Sequence, residues 1–128
     1  MERKIVMIAA LLGVSAIILG AFGAHALKKV LTGEQLITFE TGVKYQMYHT
    51  LFLLFVGLSS QISDLAKKRI FYFIISGILC FSGSIYLLAT NDLTSFDFRV
   101  IGFITPIGGL LLIIGWICLF VDFLRKKS

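Results

Sequence analysis

Four stretches of the chain contain no charged residue: between Lys4 and Lys28, Lys44 and Asp64, Arg69 and Asp92, and Arg99 and Asp122. Each can supply the roughly 20 apolar residues that cover about 30 Å of hydrocarbon. The pattern predicts membrane-spanning helices over residues 5–26, 45–62, 70–90 and 100–121. A different pattern precedes the second run. Thr32 followed by Gln35 has capping-box spacing. Leu36, Phe39 and Val43 recur at helical spacing, with Glu34, Thr38 and Thr41 off that line. This predicts a short amphipathic helix over residues 33–44, lying at the outer interface and bending near Gly42 into the second span. The expected fold is all-α and membrane-integral. It is a bundle of four transmembrane helices with one interfacial helix before the second span, in a single domain covering residues 1–128.

The connections carry their own signals. A turn rich in Ser and Lys, Ser59 to Arg69, joins the second and third spans. Thr94 with Asp97 suggests a second capping box before the fourth span. Pro106 either kinks that span or starts it with Thr105 as cap. Ala24-His25-Ala26 mimics a signal-peptidase site, but the apolar run before it exceeds the usual h-region of about 7–15 residues. A retained span is expected.

Composition agrees with the pattern. The chain is 58% hydrophobic and 15% charged, against about half and a quarter in soluble domains. Its net charge of +5 would suggest a nucleic-acid partner in a soluble protein. Here the basic residues flank spans, and no nucleic-acid partner is expected. Arg3 and Lys4, then Lys67, Lys68 and Arg69, then Arg125, Lys126 and Lys127 fall on one side. Lys28, Lys29, Lys44 and Arg99 fall on the other. The positive-inside rule then places both termini in the cytoplasm of a multi-pass cell-membrane protein, with the lipid bilayer as its first partner. Cys80 and Cys118 lie mid-span without a CxxC pair and read as packing residues rather than a disulfide.

Small residues suggest where helices approach. Ala9, Gly13, Ala16, Gly20 and Ala24 form a stripe on the first span, either packing within the chain or forming the seam of a homo-oligomer. Ser76, Cys80 and Gly83 form a row on the third span, with Gly77 and Ser84 close by, and Gly109 lightens the fourth. Gly13, Gly20, Gly83 and Gly109 are the candidate helix-packing glycines.

The chemistry gathers at one depth. With both termini inside, His25 ends the first span, and His49 and Tyr86 lie about 6 Å inside the second and third. Thr105 lies about 7–8 Å inside the fourth. Lys44, Tyr45 and Tyr48 border this layer. The seven residues His25, Lys44, Tyr45, Tyr48, His49, Tyr86 and Thr105 define a candidate outer-leaflet pocket for a small molecule or lipid headgroup. Each has a plainer reading. Glu40 and Lys44 suit an i,i+4 ion pair, Tyr45 and Tyr48 suit interfacial anchors, and one hydrogen bond to Tyr86, Thr105 or a carbonyl would satisfy His49.

No cofactor is assigned. Two histidines in a helical bundle leave bis-histidine haem ligation by His25 and His49 as an alternative. Adding Glu40 gives zinc no recognisable spacing, so no metal site is assigned. No carboxylate lies inside a span, which argues against a proton-coupled exporter. Phe81-Ser82-Gly83-Ser84 lacks the G-x-S-G of intramembrane serine proteases, and no catalytic residue is assigned.

Four segments carry a family resemblance. Gly20-Ala21-Phe22-Gly23-Ala24-His25-Ala26-Leu27, Thr41 to His49, Phe81-Ser82-Gly83-Ser84-Ile85-Tyr86-Leu87-Leu88, and Ile104-Thr105-Pro106-Ile107-Gly108-Gly109 with Gly115-Trp116 occur in this order. They resemble the motifs of the YgdD/YwdK family of small bacterial membrane proteins, a domain of unknown function to which animal transmembrane protein 256 is related. The resemblance implies four spans and a membrane location, and brings no activity. The functional expectation is a binding or transport module rather than an enzyme. A redox component using the two histidines and an oligomeric interaction protein are the alternatives.

Overall fold

The computed structural model describes residues 1–126; Lys127, expected in the C-terminal basic cluster, lies outside them. Five α-helices carry the architecture: α1 (Glu2–His25), α2 (Gly33–Leu58), α3 (Asp64–Ile78), α4 (Ser84–Ala89) and α5 (Ile104–Leu124). A π-helical turn, Leu79–Gly83, joins α3 to α4 without ending the rod. Among the described residues, three segments are long and apolar enough to cross a membrane: Glu2–Lys29, Asp64–Ala89 and Phe98–Leu124.

Helix α2 starts where its capping box predicts. The Thr32 hydroxyl accepts from the Gln35 N–H at 3.1 Å, and the Gln35 side chain accepts from the Thr32 N–H at 2.9 Å. It then runs for 26 residues without interruption. The expected interfacial helix over 33–44 is replaced by the first turns of this continuous helix. Phe39 is buried inside the protein against Tyr86, with ring centroids 5.1 Å apart, so its apolar stripe faces other helices. Gly42 serves close approach: an added Cβ would stand 2.8 Å from the Tyr86 ring.

Helix pairing is antiparallel and continuous along α1 and α2. Gly57 meets Ile5 and Val6, Gly13 meets Thr50, Gly20 meets Val43, and Gly23 meets Phe39. Gly13 and Gly20 of the small-residue stripe thus face α2 and Ala9 and Ala16 are buried, but Ala24 is exposed and Gly23 makes the contact at that end. The opposite face of α1 exposes Met7, Leu11, Val14, Ile18 and Phe22, the large side chains expected against lipid. A second antiparallel pair joins α3 to α5, where Gly77 meets Leu112 and Gly115 meets Ile74. A core of Ile5, Leu53, Val56, Ile70 and Ile74 fills the space between the pairs.

Several boundaries shift from the sequence pattern. The second helix ends at Leu58, four residues before the expected limit. The third begins at Asp64, within the segment expected as turn, because the Ser63 hydroxyl caps it by accepting from the Ala66 N–H. Pro106 lies in the first turn of α5, where its missing N–H has no helical acceptor to lose; it neither kinks the helix nor follows a Thr105 cap, since the cap residue is Phe103. Thr94 is not the N-cap of a helix: its hydroxyl is shared between the Asn91 and Phe96 carbonyls.

The expected row Ser76–Cys80–Gly83 does not form one buried face. Ser76 is exposed, and a Cβ on Gly83 would meet nothing within 4 Å. The π-turn adds a residue to the helical repeat and rotates the face beyond it. Ser82, Ile85 and Ala89 continue the buried line of Ile70, Ile74 and Ile78. The closest backbone approach falls at Gly108 rather than Gly109. A Cβ on Gly108 would meet the backbone of Cys80 and Phe81, while one on Gly109 would meet only the Phe81 ring at 3.7 Å.

Candidate functional site

The polar layer consists of bonds between helices, and its centre is Gln46, 4% exposed. The Gln46 amide NH2 donates to the Ser15 hydroxyl at 2.8 Å and the Leu12 carbonyl at 2.9 Å, both on α1. Its oxygen accepts from the Tyr86 hydroxyl of α4 at 2.5 Å. One side chain of α2 therefore ties together three helices. The same Leu12 carbonyl also accepts from the Ser15 hydroxyl at 3.0 Å.

His49 lies one turn further along α2 and is 6% exposed. Its Nδ1 stands 2.7 Å from the Tyr45 carbonyl, and its Nε2 accepts from the Trp116 indole N–H at 3.1 Å. A carbonyl only accepts and an indole N–H only donates. These two partners define the neutral tautomer with the proton on Nδ1. Aromatic rings enclose the pair: Trp116 stacks on Phe52 at 3.8 Å, and Tyr45 lies over His49 at 6.2 Å and against Phe81 at 5.0 Å.

Two further bonds close the layer. Ser84 and Thr105 share a hydroxyl–hydroxyl bond of 2.6 Å between α4 and α5. Ser82, in the π-turn, donates to the Gly42 carbonyl at 2.8 Å. A carbonyl inside a helix already accepts one bond, so the hydroxyl uses its second lone pair.

The seven sequence-derived residues thus fall into two groups. His49, Tyr86 and Thr105 are engaged in the interior. His25, Lys44, Tyr45 and Tyr48 are exposed. Glu40 is exposed too, and the ion pairs among the described residues are Lys67–Glu2 and Arg99–Asp97. His49 does not bond directly to Tyr86 or Thr105; both of its nitrogens have other partners.

Gln46 is a hub that the sequence pattern does not mark, and Ser15, Ser82 and Ser84 join it in the interior network. The spacing of Gln46 from His49 is the one local signal. Gln46 and His49 are i,i+3 on a helix, so they flank one face. Lys67, expected only as one of the basic residues flanking the spans, is 1% exposed and donates to Glu2 at 2.6 Å and to the Gly57 carbonyl at 3.4 Å. That bond joins the first turn of α1 to α3 and the last turn of α2. Among the described residues, no cluster of three or more His, Cys, Asp or Glu side chains is arranged to hold a metal ion.

An internally bonded polar layer inside a belt of exposed Leu, Ile, Val and Phe is the construction of an integral membrane protein. The chain belongs to the family described as Protein of unknown function (DUF423), which matches residues 19–109. It is 40% identical to UPF0382 membrane protein SSP2132 of Staphylococcus saprophyticus over 93% of this chain and 95% of the relative. It is 40% identical to a UPF0382 membrane protein of Haemophilus influenzae over 100% of this chain and 99% of the relative. It is 36% identical to UPF0382 inner membrane protein YgdD of Escherichia coli over 98% and 93%, in agreement with the motif resemblance. No solved structure matches the chain.

Proposed function

We propose that the protein is a non-enzymatic membrane module that crosses the bilayer four times, keeps both termini in the cytoplasm and works by binding lipid. The single observation that carries the non-enzymatic reading is the double engagement of His49, whose nitrogens are both committed. A histidine that serves as base or haem ligand needs a nitrogen free to meet its partner. Here each would have to break a buried bond first. Tyr86 and Thr105 are likewise committed to Gln46 and Ser84.

The fourth crossing is α2. Its polar residues lower its hydropathy, but Gln46, His49 and Thr50 are buried and bonded inside the protein. At about 1.5 Å per residue α2 is long enough to span. It also lies beside α1 from Gly57–Ile5 to Gly23–Phe39, so a membrane crossed by α1 is crossed by α2. The basic residues at the ends of α1, α3 and α5 then take the cytoplasmic side. The exposed outer group of His25, Lys44, Tyr45 and Tyr48 meets lipid headgroups, with the tyrosines as interfacial anchors.

Two experiments test this. Hemin added to the purified protein should give no absorbance change that depends on His49; a His49-dependent six-coordinate spectrum overturns the reading. A fluorescent protein fused after Ser128 should fluoresce, and alkaline phosphatase at the same point should be inactive. The reverse pattern overturns the orientation.

A further inference from the structure

Where the first turns of α3 pass the last turns of α5, the two helices leave a groove of about 230 Å³. Leu65 and Ala66 wall one side, and Ile117 and Val121 the other. Arg69 and Arg125 stand at its rim, one from each helix. Both are exposed, and among the described residues neither has an ion-pair partner, since the two ion pairs use Lys67 and Arg99. The groove also contains a carboxylate, Asp122, which would oppose an anion. Its oxygens are engaged by the cap of α3, Oδ1 accepting from the Ser63 hydroxyl at 2.6 Å and Oδ2 from the Ser63 N–H at 3.1 Å, while its charge stays beside Arg125 and leaves Arg69 as the cation it offsets least. That pair of bonds fixes α5 to the cap of α3 and sets the width of the groove.

From this geometry we infer that the α3–α5 groove binds one anionic phospholipid, its phosphate held by Arg69 and Arg125 and its acyl chain lying on Leu65, Ile117 and Val121. The apolar wall is continuous with the lipid-facing surface, for Leu65 is 56% and Ile117 51% exposed. A soluble anion would leave that wall unused, and an uncharged lipid would leave two guanidinium groups without a partner. Both rim residues are arginine although lysines adjoin each of them at positions 68 and 126. Arginine presents a planar fork matched to phosphate oxygens, where lysine offers only a point charge. Basic pockets between helices at the cytoplasmic side are the usual seat of such headgroups. The leaflet assignment rests on the proposed orientation; the binding chemistry does not.

The test is native mass spectrometry of the full chain in detergent, titrated with phosphatidylglycerol and, separately, phosphatidylcholine. Phosphatidylglycerol should be retained in preference. Arg69→Gln and Arg125→Gln should each reduce that preference about fivefold, the roughly 1 kcal/mol that a basic side chain contributes beside an anionic headgroup. Lys28→Gln with Lys29→Gln, at the other end of the molecule, should leave it unchanged. High salt should abolish the preference in the unaltered protein, a readout that needs no variant to fold. Equal retention of the two lipids, an unchanged preference in both arginine variants, or insensitivity to salt overturns the proposal. Displacement by excess inorganic phosphate alone overturns the lipid as occupant. A periplasmic or extracellular C-terminal reporter would remove the cytoplasmic leaflet while leaving the arginine result standing.

Discussion

The indole N–H of Trp116 donates to Nε2 of His49 across 3.1 Å, joining α5 to α2 inside the apolar part of the protein. Replacing Trp116 with Phe keeps the stack on Phe52 and removes the donor, leaving Nε2 unsatisfied. The expected cost is about 1 kcal/mol, between the ~0.6 kcal/mol typical of interhelical bonds in membranes and the larger cost of a buried orphan. A double-mutant cycle with His49→Phe, read by thermal unfolding in detergent, checks it. Strict additivity would remove the bond from the energetics. Trp116 is also the one tryptophan of the chain, so its emission should move to shorter wavelength in His49→Phe.

Gln46→Leu removes three bonds to α1 and α4 at once. It also leaves the Tyr86 hydroxyl without its acceptor. We expect a loss of about 1–3 kcal/mol, larger than for Ser15→Ala, which removes one acceptor and leaves the others in place. Unfolding midpoints in the order Gln46→Leu below Ser15→Ala are the supporting result, and the opposite order contradicts Gln46 as the hub.

The glycines separate by surroundings. Gly108→Ala places a methyl group against the backbone of Cys80 and Phe81, which cannot rotate away. It should destabilise by about 1–3 kcal/mol or more. Gly83→Ala has open space and helical backbone angles, so it should be neutral or stabilise by up to about 1 kcal/mol. Expression level and midpoint of unfolding distinguish them.

Lys67 is enclosed, while its partner Glu2 is 60% exposed. Glu2→Ala strands a buried ammonium with only the Gly57 carbonyl, whereas Lys67→Met fills the same space without charge. Glu2→Ala should therefore be the more damaging of the two, with the lower unfolding midpoint, because it leaves a buried charge unpaired while Lys67→Met removes that charge. Equal midpoints for the two variants would show that burial of Lys67 carries no electrostatic cost.

The loop between α4 and α5 carries an acid-sensitive pair. Bonds from the Arg99 side chain and N–H hold the Asp97 carboxyl down at about 2, below its ordinary 3.8. A depressed folded-state value means that the pair contributes fully above the ordinary value and is lost as pH falls through about 2. The loop should loosen between these limits and not between pH 5 and 8. Amide exchange at Phe98 and Arg99 across an acid titration measures this, with Asp97→Asn as the insensitive control.

The sequence alone determined the membrane class, the apolar runs, the capping box of α2 and the family, because each is a local pattern of charge, hydropathy or cap spacing. It also singled out His49, Tyr86 and Thr105, which stand out against apolar neighbours. It did not determine which partners they choose. His49 meets Trp116 from a helix 67 residues away in sequence, and Gln46 bridges α1 and α4 because antiparallel packing brings both to its face. The π-turn is a clear case: one added residue leaves no compositional trace, yet it rotates the part of the third rod beyond it, where burial falls on Ser82 and Ile85 rather than on Gly83. Local patterns set where helices start and which runs avoid water. Only the tertiary structure decided which polar group meets which, since that depends on the rotation and register of rods whose apolar surfaces look alike from every side.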